Sequence, residues 1–165
     1  MSEQIQTASL DSLMPPEMAG KAETVGVSKA NLSTVVTLAL AVLAGAFIGL
    51  GAVFATTVAT GAGGVMPFGV TRLLVGLVFC LGLVLVIVGG AELFTGNNLI
   101  VMAWASHKIS TGRLLRNWGL VYLGNLVGAV GTALLVLWSG VWSLGGGAVA
   151  ENALRIAAAK TPKRS

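Results

Sequence analysis

The chain has 165 residues, of which 55% are hydrophobic and only 10% charged, and its mean hydropathy is +0.89. That balance excludes an ordinary soluble domain and places the chain in a lipid bilayer. The formal net charge of +4 does not indicate nucleic acid as a partner, because the basic residues are scattered among loops and termini rather than gathered on one face.

Residues 1–31 are polar and mixed in charge, so they read as a cytoplasmic N-terminal segment. With no early apolar core, no cleavable signal peptide is expected, and the first hydrophobic stretch should be kept as a span. Asp11 to Lys29 reads as a surface helix whose first turn tolerates Pro15 and Pro16, lying on the membrane rather than crossing it.

The transmembrane region is expected over 32–144. No Asp, Glu, Lys or Arg occurs from Ala30 to Thr71, from Leu73 to Ala91, or from Asn117 to Ala150. A helix needs roughly 20 apolar residues to cross the hydrocarbon core. The first span is placed at about 32–57, with Ala41, Gly45 and Gly49 as a small-residue stripe that lets another helix approach. Residues 61–68, rich in glycine and containing Pro67, read as a turn.

The second hydrophobic region, 71–106, is too long for one straight span. From Leu73 to Ser106 its only charge is Glu92. A continuous helix there would run about 50 Å at 1.5 Å per residue, against a core of roughly 30 Å. Gly89, Gly90, Gly96, Asn97 and Asn98 around Glu92 locate an interruption at 90–98, and the piece after it is too short to cross. One discontinuous span is expected, and irregular backbone at that depth must be buried in protein or line a cavity.

His107 to Arg116 reads as a short polar loop holding Lys108, Arg113 and Arg116. A third span follows at about 117–139, with Gly124, Gly128 and Thr132 as a second stripe. Trp118 and Tyr122 stand near one interface, Trp138 and Trp142 near the other. Residues 145–165 read as a polar, basic segment: a flexible connection at Gly145 to Gly147, one or two helical turns over Glu151 to Ala159, and a basic ending from Lys160 to Arg164. Lys21, Lys29, Lys108, Arg113 and Arg116 on one side balance Arg72, Arg155, Lys160, Lys163 and Arg164 on the other, so charge alone leaves the orientation open.

Three separated motifs, in order, carry a family resemblance. Gly90-Ala91-Glu92-Leu93-Phe94-Thr95-Gly96-Asn97-Asn98 resembles the signature loop of the formate/nitrite transporter family. Pro15 to Ala30 is similar to that family's N-terminal surface helix, and Asn117-Trp118 through Tyr122-Leu123-Gly124-Asn125-Leu126-Val127-Gly128 resembles its third helix. The resemblance implies an all-α membrane protein with an aquaporin-like helical bundle, of which this chain is the first of two inverted three-helix repeats with a broken second helix. It further implies a homopentamer in the bacterial inner membrane, each subunit with its own pore, transporting small monovalent anions. Formate comes first, with nitrite or hydrosulfide next, and no cofactor is implied.

Matched position by position, the resemblance implies that Phe79 and Leu83 are apolar constriction residues. Glu92, Leu93, Phe94 and Thr95 belong to a gating loop, and Lys160 stands in an outer vestibule. Phe79 and Leu83 are four residues apart, which alone fits a packed or lipid-facing pair as well as a pore neck. Glu92 beside a helix break must be paired, hydrated or functional; its carboxylate is expected to take hydrogen bonds from loop amides or the Thr95 hydroxyl. Asn125 reads as an interhelical hydrogen bond, and Cys80 as a packed, inert thiol. The family's pore histidine and second broken helix have no counterpart up to Ser165, and His107 is not its equivalent.

An enzyme is not expected, since one His, one Cys and no paired nucleophile and base give little to build a catalytic site from. An aquaporin-like water or glycerol channel would carry an Asn-Pro-Ala loop, which is absent. The remaining alternative is a non-conducting membrane scaffold or fragment.

Overall fold

The computed structural model describes residues 14–161. Residues 11–13 of the expected surface helix, and Lys163 and Arg164 of the basic ending, lie outside them. Helix α1 spans Pro15–Ala30 and α2 spans Thr34–Ala59; the discontinuous region is α3 (Phe68–Val88), α4 (Phe94–Asn97) and α5 (Ile100–Ala105); α6 spans Thr111–Trp138 and α7 spans Ala148–Lys160. Among the described residues α2, α3 and α6 are long and apolar enough to cross a membrane.

Helix α2 is the central element, packed by α6 on one side and α3 on the other, and glycine sets both distances. The two stripes expected from spacing pack on each other: a Cβ built on Gly45 would stand 2.1 Å from the Asn125 carbonyl oxygen, and one on Gly128 would stand 2.0 Å from that of Val42. Backbone contact of this kind supplies the dispersion energy that holds helices together where lipid removes the hydrophobic drive. On the other face of α2, Gly51 meets Phe79 and Gly82 of α3.

Helix α3 touches little else, and Leu73, Leu77, Ile87 and Val88 are all exposed. The Cys80 thiol is therefore exposed rather than packed, because only the Gly82 side of α3 is covered.

Three boundaries differ from expectation for physical reasons. The helix of the second span starts at Phe68, since Pro67 fits just before a first turn. Within the expected irregular stretch 90–98, residues 94–97 form a helical turn, and the true break is only 89–93. The third span begins at Thr111: the Ser110 side chain accepts the Arg113 amide at 3.4 Å, so the polar stretch is the capped start of a helix. Arg113 and Arg116 sit on that helix and tie it to the α1–α2 turn, donating to Asn31 Oδ1 at 2.7 Å and Thr34 Oγ1 at 2.7 Å.

The glycine run after α6 has the backbone of a connection that only glycine makes easily. Gly145, Gly146 and Gly147 take φ of +63°, +67° and +93°, a region other residues enter only with strain. It delivers α7 against α2, where the buried Asn152 donates to Thr56 O at 3.0 Å and Thr60 Oγ1 at 3.3 Å.

Helix α1 docks on α5, with Gly26 against Ala103 and Ile100, and its middle is held by Glu23, which accepts from Lys108 and Ser106. The hydrogen bond from Lys108, then that from Ser106, holds the Glu23 carboxyl below the usual glutamate range. A depressed carboxyl contributes to docking above its unfolded pKa, and that contribution is lost as pH falls through the folded value. Protection of α1 amides in hydrogen exchange, corrected for intrinsic rates, should therefore fall on acidification below the usual glutamate range. In E23Q it should already be reduced at neutral pH and show less change; identical pH profiles for the two proteins would remove Glu23 as the tie.

Candidate functional site

The break in the second span is built from glycine geometry and closed by side chains from three other elements. Gly89 ends α3, its amide donating to Leu85 O at 2.8 Å, and Gly90 turns the chain with φ +59°. The freed backbone groups then find partners. The Glu92 amide donates to Leu40 O of α2 at 3.2 Å, and the Phe94 amide to Asn125 Oδ1 of α6 at 2.9 Å. The Asn125 amide group donates in turn to Ala41 O at 2.8 Å and Glu92 O at 2.9 Å. One side chain thus joins α2, the break and α6, and supplies what water would supply outside a membrane.

Behind the break lies a polar cluster. Glu92, 3% exposed, accepts from Lys29 Nζ of α1 at 2.6 Å and from Asn97 Nδ2 at 2.6 Å. Its partners are thus the side-chain amide of Asn97, a loop amide as expected, and Lys29, which was not expected; the Thr95 hydroxyl does not reach it. Asn97 Nδ2 also donates to Asn117 Oδ1 at 3.0 Å, and Trp118 Nε1 donates to Asn97 O at 3.0 Å. Among the described residues no buried side-chain nitrogen or oxygen lacks a partner. A satisfied network of this kind stiffens its surroundings.

The other side of the break is open. A cleft of about 390 Å³ is lined there by Leu83, Leu93, Thr95 and Gly96, and also by Lys29 and Asn97 of the polar cluster. The structure therefore brings Leu83, Leu93 and Thr95 together. Phe94 points away, its ring edge-on to Trp118 and Tyr122 with centroids 6.4 and 5.6 Å apart, so these two aromatics serve the break. Phe79 lies one turn from Leu83 on α3, outside the cleft lining. Lys160 is exposed in the last turn of α7 at the opposite end of the spans, next to Ala159, which lines a second cleft.

Sequence reasoning passed over Lys29 and Asn117 as parts of the site, and held Asn97 only as an unassigned member of the loop. The available signal was the cost of polar side chains in apolar surroundings, which predicts partners without saying which ones.

Three packed spans, the second broken at membrane depth with an open cleft beside it, define a multi-pass membrane protein of the channel and transporter class. The chain belongs to the formate/nitrite transporter family, which matches residues 16–165 and is a family of channels and transporters rather than enzymes.

It is 46% identical over 147 residues to "Formate channel FocA" of Escherichia coli (strain K12), covering 89% of this chain and 51% of that protein. To "Nitrite transporter NirC" of Salmonella typhimurium (strain LT2) it is 37% identical over 99 residues, covering 59% and 35%. Among solved structures, a "Pentameric formate channel with formate bound" superposes with a TM-score of 0.72 at 46% identity, covering 77% of this chain and 49% of that one. An "FNT family ion channel" superposes at 0.68 with 30% identity, covering 76% and 50%. The chain spans about half the length of the curated formate-channel relatives it matches.

Proposed function

We propose that this chain supplies one wall of a pathway for small monovalent anions, formate first and nitrite or hydrosulfide next, in a homopentamer of the bacterial inner membrane. The observation that carries this reading is the two-sided break. Its inner side is fully hydrogen-bonded through Glu92, Asn97 and Asn125, while its outer side presents apolar Leu83 and Leu93 beside the Thr95 hydroxyl. Such a surface offers the neutral Thr95 hydroxyl to a passing carboxylate, with the Lys29 cation in the same lining, beside apolar walls that favour partial dehydration or passage as the neutral acid. Leu83 and Phe79 act as the constriction, and Leu93 and Thr95 as the mobile face of the gating loop. Glu92 and Phe94 hold that loop from behind, and Lys160 adds positive charge at the outer vestibule. The relatives described as a formate channel and a nitrite transporter support the choice of anions.

The test is uptake of labelled formate into liposomes by a pore assembled from this chain and an inverted second repeat. Saturable formate flux is expected, and L83A should lower discrimination against larger carboxylates such as butyrate several-fold. Absence of flux would replace this reading with a non-conducting scaffold, and unchanged size selection in L83A would remove Leu83 from the constriction.

A further inference from the structure

At the far end of α3 from the break lies a larger cleft of about 570 Å³, between the α2–α3 turn and α7. Arg72 and Arg155 line it from opposite elements, and among the described residues no carboxylate does. Glu151 lines an adjoining cleft that shares Gly63, Asn152 and Arg155.

Both guanidinium groups are held in place. Arg72 Cζ stands over the Phe68 ring at 5.1 Å from its centroid, a stacking that leaves the N–H edge of the fork unused. Arg155 Nη2 donates to Asn152 Oδ1 at 2.9 Å, and Asn152 is itself buried and fastened to α2 through Thr56 and Thr60.

Phe68, Arg72, Val75, Phe79 and Leu83 follow one another at spacings of three or four residues along α3, which puts them on one helical face. The cleft with the two arginines therefore stands above Phe79 and Leu83 on that face, with Arg72 about 16 Å along the axis from Leu83.

We propose that Arg72 and Arg155 form a binding mouth for small monovalent carboxylates and oxyanions at the outer end of this face. The proposal rests on the pathway reading for its purpose, and its site stands on the cleft alone. The space is far larger than formate, so the mouth holds a hydrated anion loosely between two fixed cations and raises its local concentration.

A measurement that needs no flux separates the two readings. In phosphatidylcholine vesicles, with Cys80 replaced by serine, A159C places a thiol in the cleft lining. Its reaction rates with a small anionic and a small cationic methanethiosulfonate are compared, with a neutral maleimide confirming access.

The anionic reagent should react faster at low salt, and the preference should fall several-fold in R72Q/R155Q and survive in R72K/R155K. At about 1 M salt, where the screening length is near 3 Å, it should disappear. At constant ionic strength, formate should slow the anionic reagent more than bulky gluconate does. A preference indifferent to the arginines, or equal effects of formate and gluconate, would overturn the proposal. Protection that arises only with phosphatidylglycerol in the vesicles, and depends on the arginines, would also overturn it by assigning the cleft to a lipid headgroup.

Discussion

Replacing Gly128 with valine should leave no stable three-helix unit in detergent or bilayer. A Cβ at this position would stand 2.0 Å from the Val42 carbonyl oxygen and 2.8 Å from the Ala46 amide nitrogen, both backbone atoms that cannot rotate away. The α2–α6 interface would have to open along its length. Overpacking of this kind costs about 1–3 kcal/mol where neighbours can yield, and here they cannot.

Opening the interface also pulls the Asn125 amide from Ala41 O, now 2.8 Å away. A buried polar group left without its partner costs about 1–3 kcal/mol more, against total stabilities of about 5–15 kcal/mol. Denaturation by sodium dodecyl sulfate, followed by circular dichroism, provides the measure. G131A is the control, since a Cβ there meets nothing within 4 Å and alanine favours the helix. Equal behaviour of G128V and G131A would show that the stripe does not set the interface.

The second large effect is expected from K29M. Glu92 has 4% of its side chain exposed and Lys29 is its cation at 2.6 Å, so this variant leaves a buried carboxylate without a counter-charge. Removing one partner of a buried pair costs about 3–5 kcal/mol, more than the pair itself contributes, because the remaining charge stays desolvated. K29M should therefore be strongly destabilised, and K29M/E92Q should recover most of the loss, since a neutral amide at that position can still meet Asn97. The same denaturation series reads the coupling between the two sites. Additive losses in the double variant, or a K29M curve matching the parent, would show that the ion pair does not hold α1 to the break.

Much of the architecture was legible in the sequence because a bilayer imposes few choices. Uncharged stretches separated by charge gave the three spans, and the excess length of 71–106 required a break. The stripes at Ala41, Gly45 and Gly49 and at Gly124, Gly128 and Thr132 announced close helix approach. Their pairing with each other, rather than with a further helix, became visible only in the fold. Arg113 and Arg116 misled because polarity was read as loop, whereas a capped helix carries charges in its first turns once these lie beyond the hydrocarbon. Cys80 misled because an apolar neighbourhood in sequence does not distinguish a packed side chain from an exposed one.

The sequence by itself determined that this is a helical membrane protein with a broken second span and a polar loop that resembles one family's signature. Those properties follow from local composition and length, which the bilayer reads residue by residue. Only the tertiary structure decided that Lys29 is the partner of Glu92, that Asn125 joins the break to α2 and α6, and that Arg72 shares a cleft with Arg155. Each of these joins residues more than 30 positions apart. Such pairings depend on which helix faces pack together, and backbone contacts around Gly45 and Gly128 set that packing through distances that no local pattern encodes.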